Sequence, residues 1–214
     1  MALPMRRGLP RALTALTALA CMTQHGVLLA CAQVVTPPPY RIYTVAGNGT
    51  QGFTGNVTGV RAENMTIAWP CRPAMHAASG TIFFSEYKAH VVRAVRPDDS
   101  VWTVAGTGVP GYDGDGMLGN ASRVNASVDV ELSRDGALLW IADTGNGRVR
   151  QVDLVTGIII TIAGTGARAS GPNGVLAVSS GFLTPYSTAT NSEGTRMWIA
   201  EQLAHTVRML NMST

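Results

Sequence analysis

WIADTGNGRVR, residues 140–150, is the segment that decides the fold of this chain. Its first three residues are apolar, which is typical of a buried β-strand, and residues 143–147 are turn formers. Residues 128–132 alternate apolar and acidic side chains, which is the period of a half-buried strand. Residues 148–153 and 158–163 supply two further apolar, β-branched segments. The unit therefore predicts four short antiparallel strands and no helix.

The same unit recurs along the chain at a nearly constant spacing. Thr-Val-Ala-Gly ends at Gly47 and at Gly106, and Thr-Ile-Ala-Gly ends at Gly164, with spacings of 59 and 58 residues. An acid followed seven residues later by an arginine recurs at spacings of 57 and 58, in the pairs Glu86/Arg93, Asp143/Arg150 and Glu201/Arg208. Repeated four-stranded units are typical of propeller blades. We therefore expect an all-β, β-propeller-like array of about three four-stranded blades.

The blade count predicts part of a larger or incomplete propeller, because closed rings have ~4–8 blades. The repeat units run over about 41–100, 101–157 and 158–214, and the blades over about 72–106, 126–164 and 184–214. Arg41–Gly47 matches an outer strand but precedes any inner strand, whereas the last unit supplies three strands without an outer one. Two arrangements stay open: a partial propeller, or a homodimer that exchanges N-terminal strands and forms a two-fold ring.

The repeat resembles the NHL-repeat family. The resemblance is carried by TVAGTG at residues 103–108 and by WIADTGNGRVR, and it covers almost all of the chain after the N-terminal segment. The family's characteristic histidine falls at His90 and His205, whereas the second unit has Gly147 there. The resemblance implies a propeller fold. It leaves the activity open, because the family includes extracellular binding propellers, sensor domains and a few lyases.

Residues 1–32 have the pattern of a secretory signal peptide. Three arginines precede an apolar stretch that ends in Ala-Cys-Ala before Gln33. An uncleaved anchor over residues 12–32, or lipid attachment at Cys21 or Cys31, is the alternative. Three of the 16 basic residues and none of the 13 acidic residues lie in this segment, so the remainder carries 13 of each. That balance gives no electrostatic case for nucleic-acid binding.

Asparagine usage indicates a glycoprotein that enters the secretory pathway. Six of the nine asparagines stand in Asn-x-Ser/Thr sequons, and these are Asn48, Asn56, Asn64, Asn120, Asn125 and Asn211. With the signal pattern they predict a secreted or lumenal protein, with membrane attachment only if residues 12–32 are retained. Cys71 stands alone after the signal, so it predicts no internal disulfide.

Three motifs are better explained by turns than by ligands. The GxGxxG stretches that begin at Gly47 and Gly106 follow strands, but the residues after them are hostile to a helix, which a dinucleotide site requires. DGDG at residues 113–116 lacks the further oxygen ligands of a calcium loop. We therefore expect no cofactor. His76 is the one histidine retained as a metal or ligand candidate, because its strand is expected to line the central channel.

The residue pattern predicts an extracellular scaffold that binds protein or glycan ligands, with no catalysis expected. The three acid–arginine pairs occur in every unit, which favours a structural role over a catalytic one. The alternative is a propeller hydrolase or lyase with a metal in the central channel. That alternative requires His76, Asp129 and Glu131 to face one axis.

Overall fold

The computed structural model describes residues 39–55 and 58–213 of the 214-residue chain. The chain divides into two compact units, Met1–Ile42 and Tyr43–Thr214. The described part of the first unit, residues 39–42, contains neither helix nor strand. The expected signal segment, residues 1–32, lies outside the described residues. Everything that follows concerns the second unit.

The described residues of the second unit form three antiparallel sheets. The first has the order β1-β5-β4-β3-β2, with β1 Thr58–Arg61, β2 Pro70–His76, β3 Thr81–Glu86, β4 Val91–Val95 and β5 Ser100–Ala105. The second has the order β6-β10-β9-β8-β7, with β6 Met117–Leu118, β7 Asp129–Leu132, β8 Leu138–Asp143, β9 Arg148–Asp153 and β10 Ile158–Ala163. The third has the order β11-β12-β13, with β11 Pro185–Thr190, β12 Arg196–Glu201 and β13 Thr206–Asn211.

Apolar side chains between successive sheets form the core. Phe83, Val92, Leu139 and Ile141 belong to one buried cluster that joins the first and second sheets. A second cluster joins the second and third sheets through Trp140, Val149, Phe182, Met197 and Ile199. Because the second sheet has a neighbour on both faces, almost all of β8 is buried. This explains why its sequence is a continuous apolar run rather than an alternating one.

The linkers between blades contain structure that the sequence did not predict. Residues 106–125 lie between the blades predicted at about 72–106 and 126–164, yet they contain β6, which pairs with β10 of the second sheet. In the same way β1 pairs with β5. The first two sheets therefore have five strands instead of the expected four. After each of these outer segments the chain makes a 3-10 turn, at Ala62–Asn64 and at Gly119–Ala121, and a third such turn lies at Ala177–Ser179.

The prediction of an outer strand at Arg41–Gly47 is wrong for this structure. Residues 43–55 form no strand, and the third sheet has three strands among the residues that the structure describes. The physical reason is that the Gly47 N–H bonds to the carbonyl of Ala62, at 2.9 Å, in the 3-10 turn after β1 rather than to a strand, so no strand ladder forms along this segment among the described residues. Its last residue nevertheless has the conformation of an outer-strand end: Gly47, Gly106 and Gly164 have φ values of 93°, 93° and 97°.

Candidate binding face

One end of the array collects the candidate functional residues. The inner strands β2, β7 and β11 begin at this end, since Pro70 pairs with Glu86, Asp129 with Ala142 and Pro185 with Glu201. The turns between the second and third strands of each sheet lie at the same end. We call this end the entry face.

An ion pair and a hydrogen bond link the three inner strands at the entry face. Arg72, Asp129 and Ser187 occupy one repeat position, at spacings of 57 and 58 residues. Arg72 Nε donates to Asp129 Oδ1 at 3.1 Å, and Arg72 Nη2 donates to the Ser187 hydroxyl at 3.0 Å. The Asp129 side chain is buried, whereas that of Arg72 is more than half exposed. The sequence analysis missed Arg72, although the repeat spacing would have shown that it shares a position with Asp129.

The two acids on β7 hold the second and third sheets together. Asp129 Oδ2 accepts a hydrogen bond from the Thr188 backbone N–H at 2.6 Å. Glu131 Oε1 accepts from the backbone N–H and the hydroxyl of Thr190, both at 2.7 Å. Both carboxylates are therefore engaged with β11.

His76 lies away from these acids, at the far end of its strand. Its Nδ1 is 2.7 Å from the Ser79 hydroxyl, and its ring packs so closely on Gly136 that a Cβ at that position would overlap Nε2. His76, Asp129 and Glu131 therefore do not converge on one axis. Within residues 39–55 and 58–213, no group of three or more His, Cys, Asp or Glu side chains has the arrangement of a metal site.

An exposed aromatic surface, the Trp69 platform, stands at the entry face of the first sheet. The rings of Trp69 and Tyr87 stack with centroids 6.1 Å apart and planes 23° from parallel. The Lys88 ammonium lies 4.8 Å from the Trp69 ring centroid, within the range of a cation–π interaction. Trp69 is 55% exposed and has a φ of 58°. A bulky residue with positive φ is a backbone outlier.

Hydrogen bonds on both sides hold this strained backbone in place. The Tyr87 N–H donates to the Trp69 carbonyl at 3.1 Å, and the Lys88 N–H donates to the Ala68 carbonyl at 3.3 Å. The Ala68 N–H donates to Glu86 Oε2 at 2.8 Å. The platform is therefore fixed by the buried acid of the first acid–arginine pair.

The three acid–arginine pairs make equivalent contacts in the three sheets. The distances are 2.7 Å from Arg93 Nε to Glu86, 3.6 Å from Arg150 Nη1 to Asp143 and 3.5 Å from Arg208 Nη1 to Glu201. The second carboxylate oxygen of each acid accepts from a backbone N–H just before the inner strand, at Ala68, Asn125 and Leu183. Each acid thus anchors the linker that enters its blade. Buried charges require such pairing.

Burial changes the ionisation of the Asp143 carboxyl. Burial raises the pKa of its carboxyl to about 6, against the opposing effects of hydrogen bonds from the Asn146 side chain and the Asn125 backbone and of the Arg150 and Arg148 charges. Desolvation disfavours the charged form of any acid. The same sign of shift would suit a catalytic acid, but Asp143 lies fully buried in the sheet interior.

The repeat position of His90, Gly147 and His205 is a left-handed turn in all three sheets. His90, Gly147 and His205 have φ values of 53°, 60° and 56°, which explains why glycine can stand in the second unit. His90 Nδ1 accepts a hydrogen bond from the Ala126 N–H at 3.0 Å. Burial and then the nearby Lys88 charge lower the pKa of His90, so the neutral acceptor form is favoured.

The glycine-rich motifs are turns with internal partners. Arg123 Nε donates to Asp113 at 2.6 Å, and Thr161 and Arg150 donate to Asp115 at 2.9 and 3.2 Å. The residues after Gly106 continue into bends and β6 rather than into a helix. Among the sequons, Asn48, Asn64, Asn120 and Asn211 are exposed, Asn125 is half-buried, and Asn56 lies outside the described residues.

No helix within the described ranges has the length and apolarity needed to cross a membrane.

No family model and no curated protein matches the sequence, but solved structures match the fold. A Bacteroides thetaiotaomicron protein of unknown function matches with a TM-score of 0.57 and 22% identity, over 65% of this chain and 34% of that one.

Two auxiliary nutrient-binding proteins match in the same way. The one from Bacteroides ovatus has a TM-score of 0.56 and 18% identity, over 69% of this chain and 38% of that one. The one from B. thetaiotaomicron has a TM-score of 0.53 and 18% identity, over 64% of this chain and 36% of that one. The chain spans about a third of the length of these structures. The prediction of an all-β, partial β-propeller of about three blades is confirmed.

Proposed function

We propose that this chain is a secreted, N-glycosylated propeller scaffold of the NHL-repeat type, and that it binds a protein or glycan ligand without catalysis. The Trp69 platform carries the proposal. An aromatic pair with a cation above it stands exposed on strained backbone, next to the Arg72–Asp129 ion pair in the chain.

Physical chemistry favours a binding role for this surface. A residue held in a sparsely populated backbone region costs on the order of 1–3 kcal/mol, and such residues cluster at functional sites. Trp, Tyr and Arg are the side chains that most often supply the binding energy of interfaces, because each combines a large apolar area with a polar group. Two of the proteins with a similar fold are nutrient-binding proteins, which is the same general class of function.

The metal-channel alternative lacks the donor arrangement that it needs. Both acids of β7 accept hydrogen bonds from β11, and His76 is bonded to Ser79 at the other end of its strand. Moving either acid toward a common ion would leave the backbone N–H of Thr188 or Thr190 without its acceptor, at about 1–3 kcal/mol each. The scaffold is therefore the better-supported proposal.

The binding proposal is tested with the chain that starts at Gln33. It is applied to a glycan array and used to capture proteins from extracellular fluid, and the strongest ligand is then titrated by calorimetry. We expect Trp69→Ala to weaken binding at least tenfold. Leu203→Ala is the matched control. Leu203 occupies the repeat position of Lys88 at the third sheet, and it is 56% exposed, close to the 55% of Trp69. Equal affinities of the two variants, or the absence of any ligand, would contradict the proposal.

The export part of the proposal has its own test. Expressed in a eukaryotic secretory host, the chain should reach the medium, begin near Gln33 and lose mass when N-glycans are removed. Retention inside the cell with an intact Met1 and no glycan would refute it. We expect Asn125 to stay unmodified, because it is half-buried and its side chain packs against Gly145.

A further inference from the structure

A cleft of about 380 Å³ opens between the first and second sheets. It crosses them from the inside outward, because its lining runs from His76 on the inner strand β2 through Ala94 on β4 and Trp102 on β5 to Leu118 on β6. Both bordering sheets have the inner, middle and outer strands of the repeat, and among the described residues none of the third sheet lines the cleft. Its volume lies within the range of ligand pockets, about 300–1,000 Å³. We call it the inter-sheet cleft.

The outer part of the inter-sheet cleft presents apolar surface. Leu118 is 51% exposed although it lies in a strand, and the Trp102 ring is half-buried. The Arg96 guanidinium carbon lies over this ring, 4.0 Å from its centroid, and the ring Nε1–H donates to the Ser100 hydroxyl at 3.3 Å. These contacts hold the ring in one position. A fixed aromatic ring beside an exposed leucine is a surface on which the apolar face of a sugar ring packs.

A glycan attachment site lines the same cleft. Asn120 is exposed, stands in an Asn-Ala-Ser sequon and belongs to the lining. It lies in the 3-10 turn Gly119–Ala121, which is held against β5 because the Gly106 N–H donates to the Gly119 carbonyl at 3.0 Å. Gly119 approaches β5 so closely that a Cβ there would overlap the Val104 carbonyl oxygen. The sequon is therefore fixed beside the strand that carries the tryptophan of the cleft.

The aromatic ring and the sequon occur together at this pair of sheets. Ile160 has the repeat position of Trp102, and Val178 has that of Asn120, each 58 residues further on. The strand ladder does not require the tryptophan, because β10 pairs with β9 through Ile160. The two side chains are thus replaced together by apolar ones. Such joint replacement is expected of positions that contact one common group.

We propose that the inter-sheet cleft binds the first N-acetylglucosamine residues of an N-glycan that Asn120 itself carries. The inference rests on the N-glycosylated, secreted character proposed above and adds a binding site for this glycan. The apolar face of the sugar packs on Trp102 and Leu118 and removes their apolar surface from water. The Arg96 guanidinium, which also lines the cleft, supplies hydrogen-bond donors to the sugar oxygens.

The covalent step is the ordinary one of the secretory pathway. The Asn120 side-chain nitrogen bonds to the anomeric carbon of a lipid-linked oligosaccharide, the lipid pyrophosphate leaves, and the nitrogen loses one proton. Because this transfer acts on the entering chain, the sugar is present when the two sheets come together. The glycan then covers an apolar gap between two neighbouring blades.

Site-by-site deglycosylation tests the cleft. The full chain is expressed in a eukaryotic secretory host, and peptide mass spectrometry follows the release of glycans from the folded protein by an N-glycanase. The reference is Asn48, an exposed sequon that does not line the cleft. Release at Asn120 should be about tenfold slower, which corresponds to about 1.4 kcal/mol of interaction between glycan and cleft, and denaturation should make the two rates equal. Equal rates on the folded protein would overturn the proposal.

A matched pair of variants separates the cleft from the turn that carries the sequon. Trp102→Ala should raise the release rate at Asn120 close to that at Asn48, whereas Ile160→Ala, at the equivalent position of the second sheet, should leave release slow. Leu118→Ala changes an exposed residue and should act in the same direction as Trp102→Ala, so the test survives a folding defect in the tryptophan variant. Slow release in both cleft variants would assign the protection to the turn and overturn the proposal.

Hydroxyl-radical footprinting supplies an independent readout. Asn120→Gln removes the glycan at an exposed position, so oxidation of Trp102 should rise several-fold. Oxidation of Trp198, which lies in the third sheet, is the internal reference and should stay the same. An unchanged Trp102 signal would overturn the proposal, whether the protein itself or another ligand covers the ring.

The pattern of occupied sequons distinguishes this inference from the function proposed above. Glycans at other sequons with an unmodified Asn120 would overturn the inference alone. A secreted chain without any glycan would overturn N-glycosylation and this inference together. A glycan on Asn120 that leaves Trp102 unprotected would overturn the binding role of the cleft, while the chain would still be a glycoprotein.

Discussion

The second and third sheets share one repeat sequence but differ in what surrounds them. Trp140 and Trp198 occupy the same repeat position, yet Trp140 is 3% exposed and Trp198 is 39% exposed. Arg150 on β9 is fully buried, whereas Arg208 on β13 keeps part of its surface. The strand pairing from β8 to β9 is repeated from β12 to β13. The repeat therefore determines the backbone, and the neighbouring sheet determines burial.

This difference matters for stability because repeat arrays gain energy at the contacts between neighbours. Trp140 packs in one cluster with Met197 and Ile199 of the third sheet, and its Nε1–H donates to Gln151 at 3.0 Å. Trp198 occupies the same place in its strand ladder, but it lies opposite Ala189 and Met209 and has no fourth sheet beside it among the described residues. Equivalent substitutions in the two sheets therefore compare a tryptophan that is covered by a neighbouring sheet and bonded to Gln151 with one that has neither contact.

The largest expected effect is the loss of Trp140. Trp140→Ala should lower the free energy of unfolding by about 3–5 kcal/mol, because it removes a buried ring and leaves a cavity between two sheets. Trp198→Ala should cost less than about 1.5 kcal/mol, since its ring is only partly covered. Urea unfolding followed by circular dichroism measures both. The samples are kept dilute so that association does not contribute. Equal losses in the two variants would show that Trp140 gains nothing from the third sheet.

The sequence predicted the strands and their repeat, but it did not predict the structure of the linkers or the contacts between neighbouring blades. TVAG, the acid–arginine pairs and the apolar run before Asp143 are local signals, because each strand is specified by its own side chains. The pairing of β6 with β10 was missed because Met117 and Leu118 contribute only two residues to it. The Trp69 platform was missed because no local rule predicts an exposed tryptophan at positive φ. The position of His76 depends on contacts with the Gly136 turn of the next sheet, which the sequence of its own strand does not contain.

A smaller effect should appear in the pH dependence of stability at Asp143. Its folded pKa of about 6 lies above the unfolded value of about 3.9, so the folded state binds more protons between these values. The contribution of the carboxyl is therefore fully present below about pH 4 and is lost as the pH rises through about 6. The total change is on the order of 3 kcal/mol, because one pH unit corresponds to about 1.4 kcal/mol.

Comparison with Asp143→Asn isolates this contribution. Urea unfolding of both proteins at several pH values between 4 and 7 should show the wild-type chain losing stability relative to the variant as the pH rises. A wild-type chain that gains stability over Asp143→Asn across this range would mean that the Arg150 charge outweighs burial at this acid.

The smallest expected difference concerns the left-handed turns at His90 and His205. Both residues have φ values near 55°. Replacement by glycine should therefore change the backbone contribution to the free energy of unfolding by similar amounts at the two turns. What distinguishes them is the bond from the Ala126 N–H to His90 Nδ1, which ties the turn to the linker of the second sheet. His90→Gly should therefore be less stable than His205→Gly by roughly 1 kcal/mol at pH 7.5, the typical value of one hydrogen bond.

Because the pKa of His90 is lowered, the unfolded state takes up the proton first as the pH falls below about 6.5. The stability that His90 contributes should then decline toward acidic pH. The difference between the two variants, measured by urea unfolding at pH 7.5 and 5.5, should accordingly shrink at the lower pH. A difference that stays constant or grows on acidification would show that the imidazole does not accept this hydrogen bond.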